Sequence, residues 1–170
     1  AKPYPFCVPM PIDDEPRALG AVDEWQIEWD WDGIRAQLLR RAGETVLWSR
    51  DEEIITRSFP EIADAARALP EGTVLDGEVL AWRHGGPLPL DQMWRRLQGR
   101  RPGPALRQVV PAVFMAYDLL ESHGVDWRDR PLIERRRELE TLINNARQET
   151  AAVVRATSTS RLVQGELFAA

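Results

Sequence analysis

The sequence predicts an antiparallel α+β domain, and three observations carry that expectation. Residues 25–32 alternate strictly, Trp25, Ile27, Trp29 and Trp31 against Gln26, Glu28, Asp30 and Asp32. Such alternation marks a strand with one buried and one polar face. Further strands are read at Thr45–Ser49, Thr73–Trp82 and Ala112–Asp118, joined through tight turns. Helical spacing falls between and after them, so strands come first with helices interspersed, which disfavours a doubly wound parallel sheet.

Taken in order, residues 1–24 read as an extended lead-in, proline-rich through residue 22. It holds Cys7, the sole cysteine, which excludes an internal disulfide and is expected as an inert packed side chain. Asp32-Gly33 is a tight-turn signal. It predicts that Trp25–Asp32 and Ile34–Arg41 pair as a hairpin, with Trp29 and Trp31 inward and Arg35 and Gln37 beside the carboxylates. Arg41-Ala42-Gly43-Glu44 is a second turn. Ser58-Phe59-Pro60-Glu61 predicts a capping box, followed by an apolar stripe of Ile62, Ala65, Ala66 and Leu69 that Pro70-Glu71-Gly72 ends.

His84-Gly85-Gly86-Pro87 is read as a loop, and Asp91 as the cap of a short helix through Leu97 carrying Met93, Trp94 and Leu97. Arg100–Pro104 is read as a basic, proline-broken loop, and Glu121–Asp126 as a turn. Pro131–Ile143 is a helix with Leu132, Leu139, Leu142 and Ile143 on one face. Val153 and Val154 suggest a last strand, and Ser158–Ala170 shows no clear pattern.

The 170 residues are 44% apolar with a net charge of -5, enough for one globular domain and opposed to a uniformly basic nucleic-acid binder. No apolar run is long enough to span a bilayer and no signal peptide opens the chain, so a cytoplasmic protein without a membrane partner is expected; a monomer is expected as well. Lys2 is the only lysine. Arginine stays protonated at neutral pH and is no nucleophile, so a lysine nucleophile can exist only at Lys2. His84 and His123 have no ligand spacing between them, and no metal cluster is assigned.

Glu28-Trp29-Asp30-Trp31-Asp32-Gly33-Ile34-Arg35 resembles the Lys-x-Asp-Gly-x-Arg signature of covalent nucleotidyltransferases: ATP-dependent DNA ligases, RNA ligases and mRNA-capping enzymes. Asp32, Gly33 and Arg35 match; the position of the nucleophilic lysine holds Asp30. Further segments follow in the family's order. Leu47-Trp48-Ser49-Arg50 resembles the Ser-Arg element, and Leu75-Asp76-Gly77-Glu78 the third motif. Met115-Ala116-Tyr117-Asp118-Leu119-Leu120 resembles the next one, and Pro131-Leu132-Ile133-Glu134-Arg135-Arg136 the helix after it in DNA ligases. Each has a bland alternative: a surface arginine at Arg50, a solvated acid on a bulge at Glu78, core packing at Tyr117. Their shared order, from about Trp25 to Ile143, favours the family over coincidence, with bacterial ATP-dependent DNA ligases the closest in pattern.

The resemblance implies a ligase-type nucleotidyltransferase (adenylation) domain, α+β and ATP-grasp-like, over residues 25–170, with ATP and Mg2+ as cofactors. It also implies roles. Glu28 would accept the adenine amino group, Tyr117 would stack on the base, and Arg35 and Arg50 would meet phosphates. Asp32 and Gly33 would line the nucleotide, and Glu78 would contact ribose or order the metal. Nicked double-stranded DNA would be the partner of the full-length protein, with Arg95, Arg96, Arg100 and Arg101 able to track its backbone. For Arg135, Arg136 and Arg137, salt links to glutamates along the helix are expected.

Lysine-bearing motifs expected after Ile143, and the oligonucleotide-binding barrel that follows them in the family, are not found, so the domain is expected to be incomplete at that end. Two hypotheses follow: the adenylation domain of a nick-sealing repair or recombination ligase, inactive because Asp30 replaces the nucleophile and the last motifs are absent, or a non-catalytic relative that holds a nucleotide or DNA end. RNA ligase or capping-type guanylyltransferase is a weaker alternative. Retention of Arg35, Glu78 and Arg50 around Asp30 favours the first.

Overall fold

Strand β1 (Ile34–Arg41) carries a hydrogen-bonded partner on each edge, and this fact organises the domain. Strand β2 (Glu44–Ser49) lies antiparallel on one side, with Arg41 opposite Glu44. Strand β3 (Thr73–Arg83) lies antiparallel on the other, with Arg35 opposite Glu78. The computed structural model describes residues 2–15, 18–21, 24–98, 101–147 and 153–157. Strand β5 (Ala112–Ser122) continues the sheet beyond β3. Short strands β4 (Gly86–Pro87) and β6 (Val125–Asp126) return from β3 and β5, and β7 (Val154–Ala156) runs parallel to β5, giving a seven-stranded sheet.

The predicted hairpin of Trp25–Asp32 with Ile34–Arg41 does not form. Both edges of β1 are taken, by β2 and β3, so residues 25–32 cannot pair with it; they form no strand, and Glu28 alone makes a β-bridge. Trp29 is exposed rather than inward, whereas Trp31 is half-buried on Leu80, Val113, Met115 and Trp82. The glycine-type turn chemistry operates elsewhere. Ala42-Gly43, His84-Gly85 and His123-Gly124 all have positive φ at both residues, the mark of type I′ hairpin turns.

Helices α1 (Pro60–Ala65), α2 (Asp91–Leu97), α3 (Pro104–Val109) and α4 (Leu132–Arg147) complete the domain. The main core joins Leu38, Leu75, Val79, Phe114 and Leu119 of the strands to Phe59, Ile62, Met93, Leu139 and Ile143. Alternate strand residues face the other way. Near one end of that second face Leu39, Val74 and Leu120 cluster, and near the other Leu80, Val113 and Met115. Between them lie Arg35, Gln37, Asp76, Glu78 and Tyr117. No helix among the described residues is long and apolar enough to cross a membrane.

Other expectations need correction. Phe59, not Ser58, precedes the first helical residue, and no side chain caps α1; Pro60 supplies the start. Asp91 lies inside the first turn of α2 rather than capping it, and Trp94 is exposed because Met93 and Arg96 fill the inward positions. Pro104 opens α3 instead of closing a loop, since proline at a first helical position sacrifices no hydrogen bond. Leu132 is exposed and Cys7 is exposed. The lead-in is tied down at Tyr4, whose amide donates to Gln37 Oε1 at 2.8 Å and whose hydroxyl donates to Glu121. The last residues, 158–170, lie outside the described part.

Candidate functional site

Arg35 stands at the start of β1 on the second face and donates to Asp76 Oδ2 at 2.7 Å. Its guanidinium carbon lies 5.1 Å from the centre of the Tyr117 ring. Glu78 is opposite Arg35 across β1 and β3, and Asp76 is opposite Asp118 across β3 and β5. Tyr117 has no partner in that register: Asp118 pairs with Asp76 and Ala116 with Gly77, leaving Tyr117 as the extra residue of a bulge. A bulge re-aims a side chain locally. Gly77 permits the close approach, because a Cβ there would lie 2.2 Å from the Met115 carbonyl oxygen.

Gly33 performs a similar service, and for a reason unrelated to turn formation. A Cβ on it would lie 2.5 Å from Leu80 Cδ2, 2.8 Å from the Val79 carbonyl oxygen and 3.0 Å from Glu78 Oε2. Glycine therefore lets the Asp30–Asp32 segment lie against β3. Both aspartates are exposed, and both are near enough to disfavour ionisation of Glu78.

The carboxylates of this face are held away from their ordinary behaviour. Burial pushes Glu78 up to about 7; Arg35 and the Tyr117 hydrogen bond oppose that rise, while Asp30 and Asp32 add to it. Burial likewise pushes Asp76 up to about 6, Arg35 opposing and Asp118 adding. Tyr117 is also raised, first by burial and then by the Glu78 charge. Asp76 Oδ1 and Glu78 Oε2 are buried without a hydrogen-bond partner. An orphaned buried oxygen is costly and warrants a ligand or water.

The remaining predicted residues divide. Arg50 is exposed at the end of β2; its amide donates to the Arg35 carbonyl at 3.0 Å, and its side chain makes no ion pair among the described residues. Glu28 is not open on both oxygens: its Oε1 accepts from Arg136 Nη1 and from Gln26 Nε2, each at 2.8 Å. Burial raises its pKa, with Arg136 opposing. Arg96 cannot track a DNA backbone. Its side chain is 0% exposed, bound to Glu61, to the Ser58 and Val110 carbonyls and against the Phe59 ring. Arg95 is exposed and bonded to Gln92; Arg100 lies outside the described residues.

Arg101 instead joins Arg57 and Arg67 around an open groove of about 820 Å³ beside α1, with Thr45, Thr56 and Asp64 in its lining. Sequence reading missed Arg57 and Arg67, which are distant in sequence from Arg101 and have no motif of their own.

Sequence reading also missed the reach of the α4 arginines. Arg135 grips Asp118 with both ends of its fork, at 2.8 and 2.9 Å, and donates to the Arg130 carbonyl at 2.5 Å. Arg136 does form the expected helix link to Glu140, but also bonds Glu28 and the Thr157 carbonyl. The repeated Glu and Arg of α4 hid these distant partners. No group of three or more His, Cys, Asp or Glu among the described residues is placed to hold a metal on protein ligands alone.

Known proteins resemble this chain in sequence and in fold. The family described as "ATP dependent DNA ligase domain" matches residues 13–167. A probable DNA ligase of Opitutus terrae is 43% identical over 120 residues, 69% of this chain and 12% of that protein. DNA ligase 1 of Korarchaeum cryptofilum is 34% identical over 153 residues, 89% of this chain and 28% of that protein. The chain thus spans well under a third of either relative's length. Among solved structures, a mycobacterial DNA ligase D complexed with ATP and MES is similar with a TM-score of 0.56 and 29% identity, covering 75% of this chain and 38% of that one. The ligase domain of LigD from M. tuberculosis gives a TM-score of 0.57 and 28% identity over 76% of this chain and 38% of that one.

Proposed function

The chain belongs to the ATP-dependent DNA ligase domain family, and from that premise we propose that its second sheet face is an adenine-nucleotide site in which Asp30 occupies the position of the nucleophile. The observation that carries this reading is the convergence of Arg35, Asp76, Glu78 and Tyr117 on one face, with Asp30 and Asp32 at its margin. Tyr117 offers a flat apolar surface to adenine. Arg35 and Arg50 offer forked donors to phosphates. Gly33 lets the backbone before β1 lie close beside them.

The donors fit magnesium in a limited way. Glu78 has an orphaned oxygen, and a hard cation prefers such oxygen. Without a protein cluster, Glu78 would be its main protein ligand, and nucleotide phosphates and water would complete the shell. When bound, the ion would supply neutralisation of phosphate charge.

In the family, the lysine amine attacks the α-phosphorus, a phosphoramidate forms, a proton is lost and pyrophosphate leaves. Asp30 carries no amine. Its carboxylate would yield an acyl phosphate, which hydrolyses readily, and must first approach a polyanion. Two unit charges about 4 Å apart repel by roughly 4 kcal/mol at an effective dielectric of about 20. In the second reading, favoured by Asp30 itself, the chain binds a nucleotide or DNA end without reacting. In the full-length protein the partner is nicked double-stranded DNA.

The test is acid-stable label from α-labelled ATP and magnesium, mapped by mass spectrometry. The unaltered chain is expected to stay unlabelled. Asp30→Lys is expected to label weakly in this chain and strongly in one extended through the later lysine-bearing motifs. Stable label on the unaltered chain, at Lys2 or elsewhere, overturns the inactive reading. An extended Asp30→Lys chain without label removes the enzyme reading in favour of a binding module.

A further inference from the structure

We infer that Arg136 is a positioning residue for base selection, holding Glu28 by Oε1 so that Oε2 faces outward as an acceptor for the adenine amino group. The inference rests on the nucleotide reading above and deepens it. Arg136 is nearly enclosed, with 5% of its side chain exposed. Its fork is committed on every side: Nη1 to Glu28 Oε1 at 2.8 Å, Nε to Glu140 at 2.8 Å, and Nη2 to the Thr157 carbonyl. A planar fork with its partners fixed is pre-organised, and little freedom remains to be lost on ligand binding.

The consequence falls on Glu28. Both protein donors reach one oxygen, since Gln26 Nε2 also bonds Oε1 at 2.8 Å. Oε2 makes no hydrogen bond among the described residues, and Glu28 as a whole is half-buried rather than enclosed. An ionised carboxylate oxygen only accepts. It therefore favours a base that presents an amino group and opposes one that presents a carbonyl at the same place. Arg136 supplies the orientation without touching the base.

The same residue connects this point to the rest of the site. Thr157, whose carbonyl Arg136 binds, accepts the Trp31 indole N–H on its hydroxyl at 3.0 Å, and its amide donates to the Ala116 carbonyl beside Tyr117. The Trp31 indole proton is thus a spectroscopic reporter within the same network.

Adenosine and inosine make the test, because they lack phosphate and so avoid the charge of Asp30. Both are titrated into nitrogen-15-labelled chain, following amide and indole shifts. Adenosine is expected to bind about tenfold tighter than inosine, the scale of one charge-assisted hydrogen bond gained against one lost. Arg136→Gln is expected to bring that ratio within about twofold of unity while inosine affinity holds. Should that variant fail to fold, Arg136→Lys carries the test: its ammonium lacks the fork, so the ratio falls below that of the unaltered chain.

An unchanged ratio in a folded variant, or equal weakening of both nucleosides, overturns the inference. Tyr117→Ala separates this failure from a wider one. If it weakens both nucleosides while the Arg136 variants leave the ratio unmoved, only the role of Arg136 falls. If it affects neither, the nucleotide face itself is wrong, and both readings fall.

Discussion

On the helix-covered side of the sheet, Arg96 reaches the core and finds an acceptor for every arm of its fork: Glu61 and the carbonyls of Ser58 and Val110. On the opposite side, Arg35 bonds one oxygen of Asp76 and leaves Asp76 Oδ1 and Glu78 Oε2 buried and unpaired. The first arginine completes its surroundings; the second stands among groups that remain incomplete. Packing demands the former, because a buried charge must be matched. The latter raises the free energy of the free domain, and a ligand bringing donors or a cation would lower it. The contrast separates an arginine whose surroundings are complete from one whose surroundings are not, where residue type does not.

The largest expected effect breaks the closed side. Arg96→Ala leaves Glu61 and two carbonyls without their donor, and losing one partner of a buried pair costs about 3–5 kcal/mol. Urea denaturation should show that loss. Arg35→Ala leaves only Asp76 without its donor, and a carboxyl already pushed up to about 6 by burial can take up a proton, so it should cost less stability. Equal losses would remove the distinction between the two arginines.

What was legible follows the same division. Strands β3 and β5 and the turns after β1 and β5 follow from local pattern, and the structure retains them; Ile62, Ala65, Ala66 and Leu69 are buried as expected, although α1 ends at Ala65 and a 3-10 turn carries the chain on. The ordered motifs around Arg35, Glu78 and Tyr117 carried the family resemblance, and the family's model matches residues 13–167. The hairpin of residues 25–41 failed because alternation reports a possible strand and not a vacant edge; β2 and β3 had taken both. Arg96 was unreadable for another reason. Next to the exposed Arg95 in a basic run it looks solvated, and only the third dimension brings Glu61, Ser58 and Val110 to it. Helix α3 was hidden because proline breaks a helix interior yet suits a first turn.

A middle-sized effect sharpens the comparison at the surface of the closed side. Arg57, Arg67 and Arg101 line one groove there, but Arg67 is paired to Asp64 at 3.4 Å. With a net charge of -5, the chain should bind DNA weakly and with strong salt dependence. If Arg57 and Arg101 each meet a phosphate, replacing both by Gln should make the log–log salt slope shallower by about 2. Replacing Arg95, outside the groove, should change it less. A slope indifferent to Arg57 and Arg101 would place DNA elsewhere on the domain.

The smallest effect concerns the incomplete side alone, and its sign can be fixed in advance. Burial pushes Glu78 up to about 7 in the folded chain, against an ordinary 4.5 when unfolded. The folded state therefore holds its proton more tightly between those values, and stability must fall as pH rises through them. Asp76, raised to about 6 from 3.8, contributes a fall of the same sign over a lower window. In metal-free buffer, the unaltered chain should thus lose stability from about pH 4 to about pH 7. Glu78→Gln keeps the shape and removes the titration. It should be more stable than the unaltered chain above pH 7, and nearly equal to it below pH 4.5, where Glu78 is protonated in both states. Because Glu78 is only half-buried, solvent screening reduces the expected gain to about 1–2 kcal/mol. Arg35 draws part of its balance from the lost charge, which works in the same reducing direction. Thermal melts across that range measure the gap directly. If the two chains keep parallel profiles from pH 4.5 to 8, Glu78 is not the strained carboxylate of this face, and the contrast with the matched charges around Arg96 loses its main support.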